Sequence, residues 1–158
     1  MSSAAVADLE ALYRSRYGAF ARVAGAIAGV DDAGDAVDEA FATAILKLGS
    51  YRGSGSLEAW VWSIVLNAAR ALARKRRGEL LRESGAVADS VLSEADAEVR
   101  GWIAGLPERQ RLAVFLRYFA DLDYPAIAQS LGIEVGTVSA TLSAAHAALR
   151  RSSEEAHV

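Results

Sequence analysis

The chain has 158 residues, a hydrophobic share of 53%, a net charge of −3 and two prolines, which excludes a disordered polymer and favours one ordinary core, or two small ones, built from helices. It has no cysteine, so disulfides and cysteine-based zinc or iron–sulfur sites are excluded; His146 and His157 are too few and too badly placed for a metal cluster, and neither metal nor cofactor is expected. No stretch of about 18 apolar residues exists and no basic start leads into an apolar run with a cleavage site, so the expectation is a cytoplasmic protein.

In chain order, apolar residues recur at helical spacing from Asp8 to about Gly29: Leu9, Leu12, Tyr13, Tyr17, Phe20, Val23, Ala24 and Ile27. Gly29 and Val30 end that helix, and Asp31 or Asp32 is expected to cap the next. The second helix runs to about Leu48, with Val37, Phe41, Ala44, Ile45 and Leu48 on its buried side. Gly49, Ser50, Gly53, Ser54 and Gly55 then break the pattern and put Tyr51 and Arg52 in a loop. Ser56 can cap a long third helix through Trp60, Trp62, Val65, Leu66, Ala69 and Leu72. That helix ends in the basic run Arg74-Lys75-Arg76-Arg77, where cations suit the helix C-terminus.

Charge marks the boundary that follows. Residues 1–77 carry ten basic and eight acidic side chains, residues 78–98 one and six, and residues 99–158 six and six. Two near-neutral ends thus flank an acidic middle, and residues 78–97 are read as a linker between a domain at 8–77 and a second at 98–151. Order resumes with Val99, Trp102, Ile103 and Leu106, and Pro107 starts a helix through Leu112, Val114, Phe115, Leu116 and Tyr118. Asp123 caps a short helix, Tyr124 to Leu131, with Pro125 tolerated in its first turn. Gly132 makes the turn, and Val135 to Arg151 forms the last helix. Short helix, glycine turn, helix is the helix-turn-helix pattern. No strand-period alternation or internal repeat is present, so the fold class is all-α.

The segments Leu106-Pro107-Glu108-Arg109-Gln110-Arg111, Leu116-Arg117-Tyr118-Phe119, Tyr124-Pro125-Ala126-Ile127-Ala128 and Leu131-Gly132-Ile133, with Gly136-Thr137-Val138, closely resemble the C-terminal domain (region 4) of extracytoplasmic-function sigma factors of the sigma-70 family. The front of the chain independently resembles that family's N-terminal domain (region 2). It has Asp32-Ala33-Gly34-Asp35-Ala36-Val37-Asp38-Glu39-Ala40-Phe41, then Tyr51-Arg52-Gly53 before Ala59-Trp60, and Asn67 leading to the basic run. The two matches stand in the right order and span most of the chain.

The resemblance implies a protein that directs RNA polymerase to promoters and assists their melting, without catalysing a reaction. Asp35, Asp38 and Glu39 lie three and four positions apart on one helix face, and the implied partner of that acidic strip is the β′ clamp helices of core polymerase. The loop containing Tyr51, Arg52, Gly53 and Ser54 would capture a flipped minus-ten base, since holding unstacked bases needs stacking planes and adaptable backbone. Asn67, Arg70, Arg74 and Lys75 would follow the same strand. Trp60 is expected to fill the core, and Trp62, on a different face, to be the exposed aromatic. Promoter DNA and an anti-sigma factor are the further partners implied.

The last helix departs from the family pattern, because no charged residue lies between Val135 and Leu149. Val135, Val138, Leu142, Ala145 and Leu149 are expected to form its buried stripe. Ser139, Thr141, Ser143 and His146 face outward, with Arg150 supplying charge beyond them, and these five are the candidate minus-35 contacts. Phosphate neutralisation and bidentate guanine contacts normally need several arginines or lysines, so weak DNA binding by this half is expected. That bare helix motivates an alternative, a sigma-like decoy that sequesters an anti-sigma factor without effective promoter recognition.

Overall fold

The computed structural model describes residues 3–53, 55–82 and 94–157. Every regular element among them is helical: α1 (Ser3–Ala28), α2 (Val30–Lys47), a 3₁₀ turn (Leu48–Ser50), α3 (Leu57–Arg82), α4 (Glu94–Ala104), α5 (Glu108–Val114) with a π-helical continuation (Phe115–Phe119), α6 (Tyr124–Leu131) and α7 (Val135–Ala156). Among the described residues, no helix is long and apolar enough to cross a membrane.

The first three helices pack around a knot of aromatic rings. Phe20 lies 4.4 Å from Trp62 and 5.4 Å from Phe41 between ring centroids, and Tyr13 meets Phe41 edge-on at 5.0 Å. Edge-to-face and tilted pairs of this kind add to the large apolar area that each ring buries. One residue, Gly29, separates α1 from α2; the reversal requires its φ of +99°, a conformation open chiefly to glycine. The second helix therefore starts at Val30, ahead of the expected aspartate cap. Asp31 and Asp32 fall in its first turn instead, where the helix dipole favours them and where Arg76 of α3 pairs with both, reaching Asp32 at 2.7 Å.

In the rear half, Leu112, Phe115, Leu116, Ile127, Val138, Leu142 and Ala145 are buried together. Asp123 accepts from the Ala126 N–H at 2.9 Å and so caps α6, while Gly132 closes it at φ +67° in the left-handed region, as the sequence predicts. Helix α7 crosses behind α5 and α6 to complete the helix-turn-helix. The two halves share one continuous apolar core, because α6 packs on α3 and the π-helical stretch packs on α1. Helix α3 runs to Arg82 and α4 begins at Glu94, so helices take in both ends of the stretch read as a linker. Its middle, 83–93, falls outside the described residues.

Candidate nucleic-acid interface

Helix α2 presents an acidic strip. Asp35, Asp38 and Glu39 are all exposed, and Asp38 accepts a hydrogen bond from the Tyr13 hydroxyl at 2.9 Å. That bond, followed by burial and by the charge of Asp38, holds the Tyr13 phenol above its ordinary range. The strip continues into apolar surface at Ala42, Ile45 and Leu46. Ile45 was expected in the core, but it is 43% exposed, and Leu46 is 85% exposed. Ala40, Phe41, Ala44 and Leu48 already supply the buried side of that turn.

The loop after α2 is closed by its own residues. The Tyr51 hydroxyl donates to the Gly55 carbonyl at 3.0 Å, and Gly53 and Gly55 both hold positive φ, +75° and +80°. Arg52 and Gly53 are exposed; Ser54 lies outside the described residues. The Tyr51 ring packs on Trp60, with centroids 5.1 Å apart and planes tilted by 39°.

The two tryptophans of α3 exchange the roles expected of them. Trp62 is 0% exposed, stacks on Phe20, and donates its indole N–H to Glu58 Oε2 at 3.2 Å. The carboxylate one turn back satisfies the only polar atom of the ring, which allows it to be buried whole. Trp60 is half-buried and keeps a face beside the loop. The signal that could have found this is the spacing Ala59, Trp62, Leu66, Ala69, a 3-4-3 stripe of buried positions on which Trp60 does not fall.

Trp60, Asn67 and Arg74 follow one another at seven-residue intervals and therefore share a face of α3, over about 21 Å. Asn67, Arg74 and Lys75 are exposed. Arg70, on the neighbouring row, is half-buried and paired with Glu108 at the start of α5. The helix thus offers an aromatic pair at one end, an amide in the middle and exposed cations at the other end.

The outward face of α7 is smaller than expected. Ser139 and Ser143 are exposed, as is Arg150. Thr141 is buried, because it stands three positions after Val138 and four before Ala145, on the inner stripe. Val135, expected in that stripe, is 46% exposed at the first position of the helix. His146 is half-buried, with Nε2 2.6 Å from the Tyr118 hydroxyl, so the Nε2 edge of its ring is engaged by the continuation of α5.

Comparison with known proteins identifies the family. The family model of Sigma-70 region 2 matches residues 12–79, and that of Sigma-70, region 4, matches residues 97–149. The chain is 31% identical to the RNA polymerase sigma-H factor of Pseudomonas aeruginosa over 137 residues, covering 75% of this chain and 71% of that protein. It is likewise 31% identical to the ECF RNA polymerase sigma-E factor of Escherichia coli, covering 75% and 72%. Among solved structures, the sigma factor RpoE in complex with the anti-sigma factor NepR from Bartonella quintana superposes with a TM-score of 0.70 at 22% identity, covering 93% of this chain and 97% of that one. CnrH in complex with the cytosolic domain of CnrY gives a TM-score of 0.71 at 24% identity, covering 90% and 85%.

Proposed function

The chain belongs to the sigma-70 family as an extracytoplasmic-function sigma factor that directs RNA polymerase to promoters, and we propose how its residues divide that work. The exposed strip Asp35, Asp38 and Glu39 docks the β′ clamp helices of core polymerase. Its charge complements a basic partner, and the apolar surface at Ile45 and Leu46 extends it in the way interface cores adjoin polar rims. The loop bearing Tyr51, Arg52 and Gly53 takes an extruded minus-ten base against the Tyr51–Trp60 pair, and Asn67, Arg74 and Lys75 follow the same strand away from it. Arg70 joins them once released from Glu108. Ser139, Ser143 and Arg150 touch minus-35 DNA and contribute modestly.

The observation that carries this reading is the single face of α3 running from a loop-side aromatic pair through an amide to exposed cations. Single-stranded DNA is held by stacking platforms and phosphate contacts of this kind. No step of bond chemistry is needed: the protein works by binding, in the cytoplasm, where polymerase and promoters are. The likeness to RpoE, solved in complex with the anti-sigma factor NepR, supports an anti-sigma factor as its regulator.

Run-off transcription with core polymerase and pooled genomic fragments tests the assignment. Discrete transcripts are expected from the native chain. They should vanish with Asp35→Arg, through loss of core binding, and with Asn67→Ala, through loss of opening with core binding kept. Absence of both transcripts and core binding in the native chain would sink the proposal.

A further inference from the structure

Helix α7 brings no cation to its outward face before Arg150, yet one titratable ring stands on it. Ser139, Ser143, His146 and Arg150 follow at spacings of four, three and four, which puts them in one row along the helix. The group that engages His146 comes from another element. The Tyr118 hydroxyl lies 2.6 Å from His146 Nε2, with the two rings 5.7 Å apart and tilted by 49°.

Tyr118 is 57% exposed, the only exposed tyrosine, tryptophan or phenylalanine among the described residues. It sits in the π-helical turn, where the Ala120 N–H reaches back five residues to the Phe115 carbonyl at 3.2 Å. Widened turns of this kind recur at functional sites. Here Leu116 and Ala120 on either side stay buried while Tyr118 stands out. A ring left this exposed gains little burial from its contact, so core packing does not account for it.

The chemistry of the pair gives the contact a direction. A phenol O–H is the better donor and a neutral imidazole nitrogen the better acceptor, so Tyr118 donates to Nε2 and the ring proton sits on Nδ1. Nδ1 bonds nothing among the described residues and is a donor left for a group outside the chain. When the ring takes a second proton, the hydroxyl turns to accept from Nε2–H. Nδ1–H then remains a donor and carries charge.

The surrounding charges leave that imidazolium uncompensated. No ion pair among the described residues includes His146. On α5 and its continuation, Glu108 pairs with Arg70, Arg111 donates to the Ala104 and Leu106 carbonyls, and Arg117 donates to the Leu122 carbonyl. Arg109 of α5 is exposed, α4 adds the exposed Glu98 and Arg100, and Arg150 stands one turn further along α7. Helix α6 offers only Tyr124, which Arg117 covers.

We infer that Tyr118 and His146 form a dyad that contacts a DNA phosphate at the minus-35 element and strengthens as the pH falls. His146 Nδ1–H is the donor, and Tyr118 is the positioning residue that fixes the ring. A phosphate attracts the imidazolium more than the neutral ring, so protonation and binding favour each other. A face without arginine thereby gains a cation in the lower part of the physiological pH range. The inference rests on the sigma-factor reading for where the DNA lies, whereas the fixed ring can be measured without it.

The test starts from the full chain carrying His157→Gln, which leaves His146 as its one histidine, labelled with nitrogen-15. Imidazole NMR should find the proton of the neutral ring on Nδ1. Tyr118→Phe, which removes only the hydroxyl, should lose that preference. Fluorescence anisotropy with a labelled DNA duplex at low salt then follows affinity between about pH 8 and about pH 6. Affinity should rise about fivefold toward the lower pH, within what one hydrogen bond to a charged group supplies. The rise should shrink below about twofold in Tyr118→Phe and in His146→Gln, for want of that same bond. His146→Arg should bind tightly at both pH values, a rescue that a merely structural dyad would not show. On a promoter recovered by run-off transcription, both weakening variants should lose more activity at the lower pH, and only while the minus-35 element is intact. A neutral ring protonated on Nε2 would overturn the dyad, as would a pH profile shared by the native ring and His146→Gln. Equal losses with the minus-35 element replaced would overturn its placement there. If run-off recovers no promoter, the function proposed above fails, and the NMR and duplex measurements alone decide whether the dyad exists.

Discussion

The front and rear halves share an all-helical plan but carry their charge and their bulk in opposite ways. The front half, α1 to α3, buries interlocked aromatic rings and keeps carboxylates on α2 and cations on α3 exposed. The rear half, α4 to α7, is built mainly on aliphatic side chains and turns outward a last helix that carries no charge before Arg150. Interlocked rings and like-charged exposed strips are therefore concentrated in one half. The difference teaches that the front half supplies the aromatic core, and that the rear half packs onto it through α6, as at Ser56.

The largest expected effect comes from breaking the front core. Trp62→Ala removes a fully buried ring that packs on Phe20 and leaves Glu58 without the indole donor. A loss of about 3–5 kcal/mol follows from truncating a buried aromatic, read as a lower urea midpoint. An effect below about 1 kcal/mol would show that the aromatic knot is not the anchor of the fold.

Trp60→Ala sharpens the same contrast from the opposite side. Trp60 is half-buried against Tyr51, so stability should change little. Promoter opening should fall about 10- to 100-fold, the equivalent of a lost stacking platform worth about 1–3 kcal/mol. Permanganate reactivity of unpaired thymines in the minus-ten element reports it. Equal losses of stability for Trp60→Ala and Trp62→Ala would erase the distinction between the two rings.

What was legible in the sequence follows the same division. Apolar periodicity located the helices, and glycine and aspartate marked the caps of α6, because those signals act within one or two turns. Trp60 and Trp62 were exchanged because the buried face of α3 was drawn through Trp60, whereas the 3-4-3 stripe of buried positions runs through Trp62. Thr141 was left off a stripe drawn through Val135, Val138, Leu142, Ala145 and Leu149, while its spacing of three from Val138 and four from Ala145 puts it inside. The contact between Gln129 and Ser56 spans 73 positions, and no local pattern encodes a pairing of that range. Nor did the basic run reveal that Arg76 alone among its members folds back onto Asp31 and Asp32.

The bare face of α7 can be given the charge it lacks. Ser139→Arg with Ser143→Arg places two cations at exposed positions one turn apart. Affinity for promoter DNA should rise about tenfold at low salt, and the slope of log affinity against log salt should steepen by about one unit for each new phosphate contact. A promoter-reading sigma factor gains in this way, whereas a decoy gains nothing specific to promoters. Thr141→Arg, in contrast, should destabilise the domain by burying a cation, which separates surface from stripe on the same helix.

The smallest predicted effect probes how the rear half is positioned. Asp123 caps α6 through the Ala126 N–H at 2.9 Å, and α6 is the helix that carries both Gln129 and Ser130 onto α3. Asp123→Ala should cost about 1 kcal/mol by leaving that donor without its acceptor, lowering the melting temperature by about 4–8 °C if the rear half unfolds as a unit. An unchanged melting temperature would show that this cap does not hold the first turn of α6 in place.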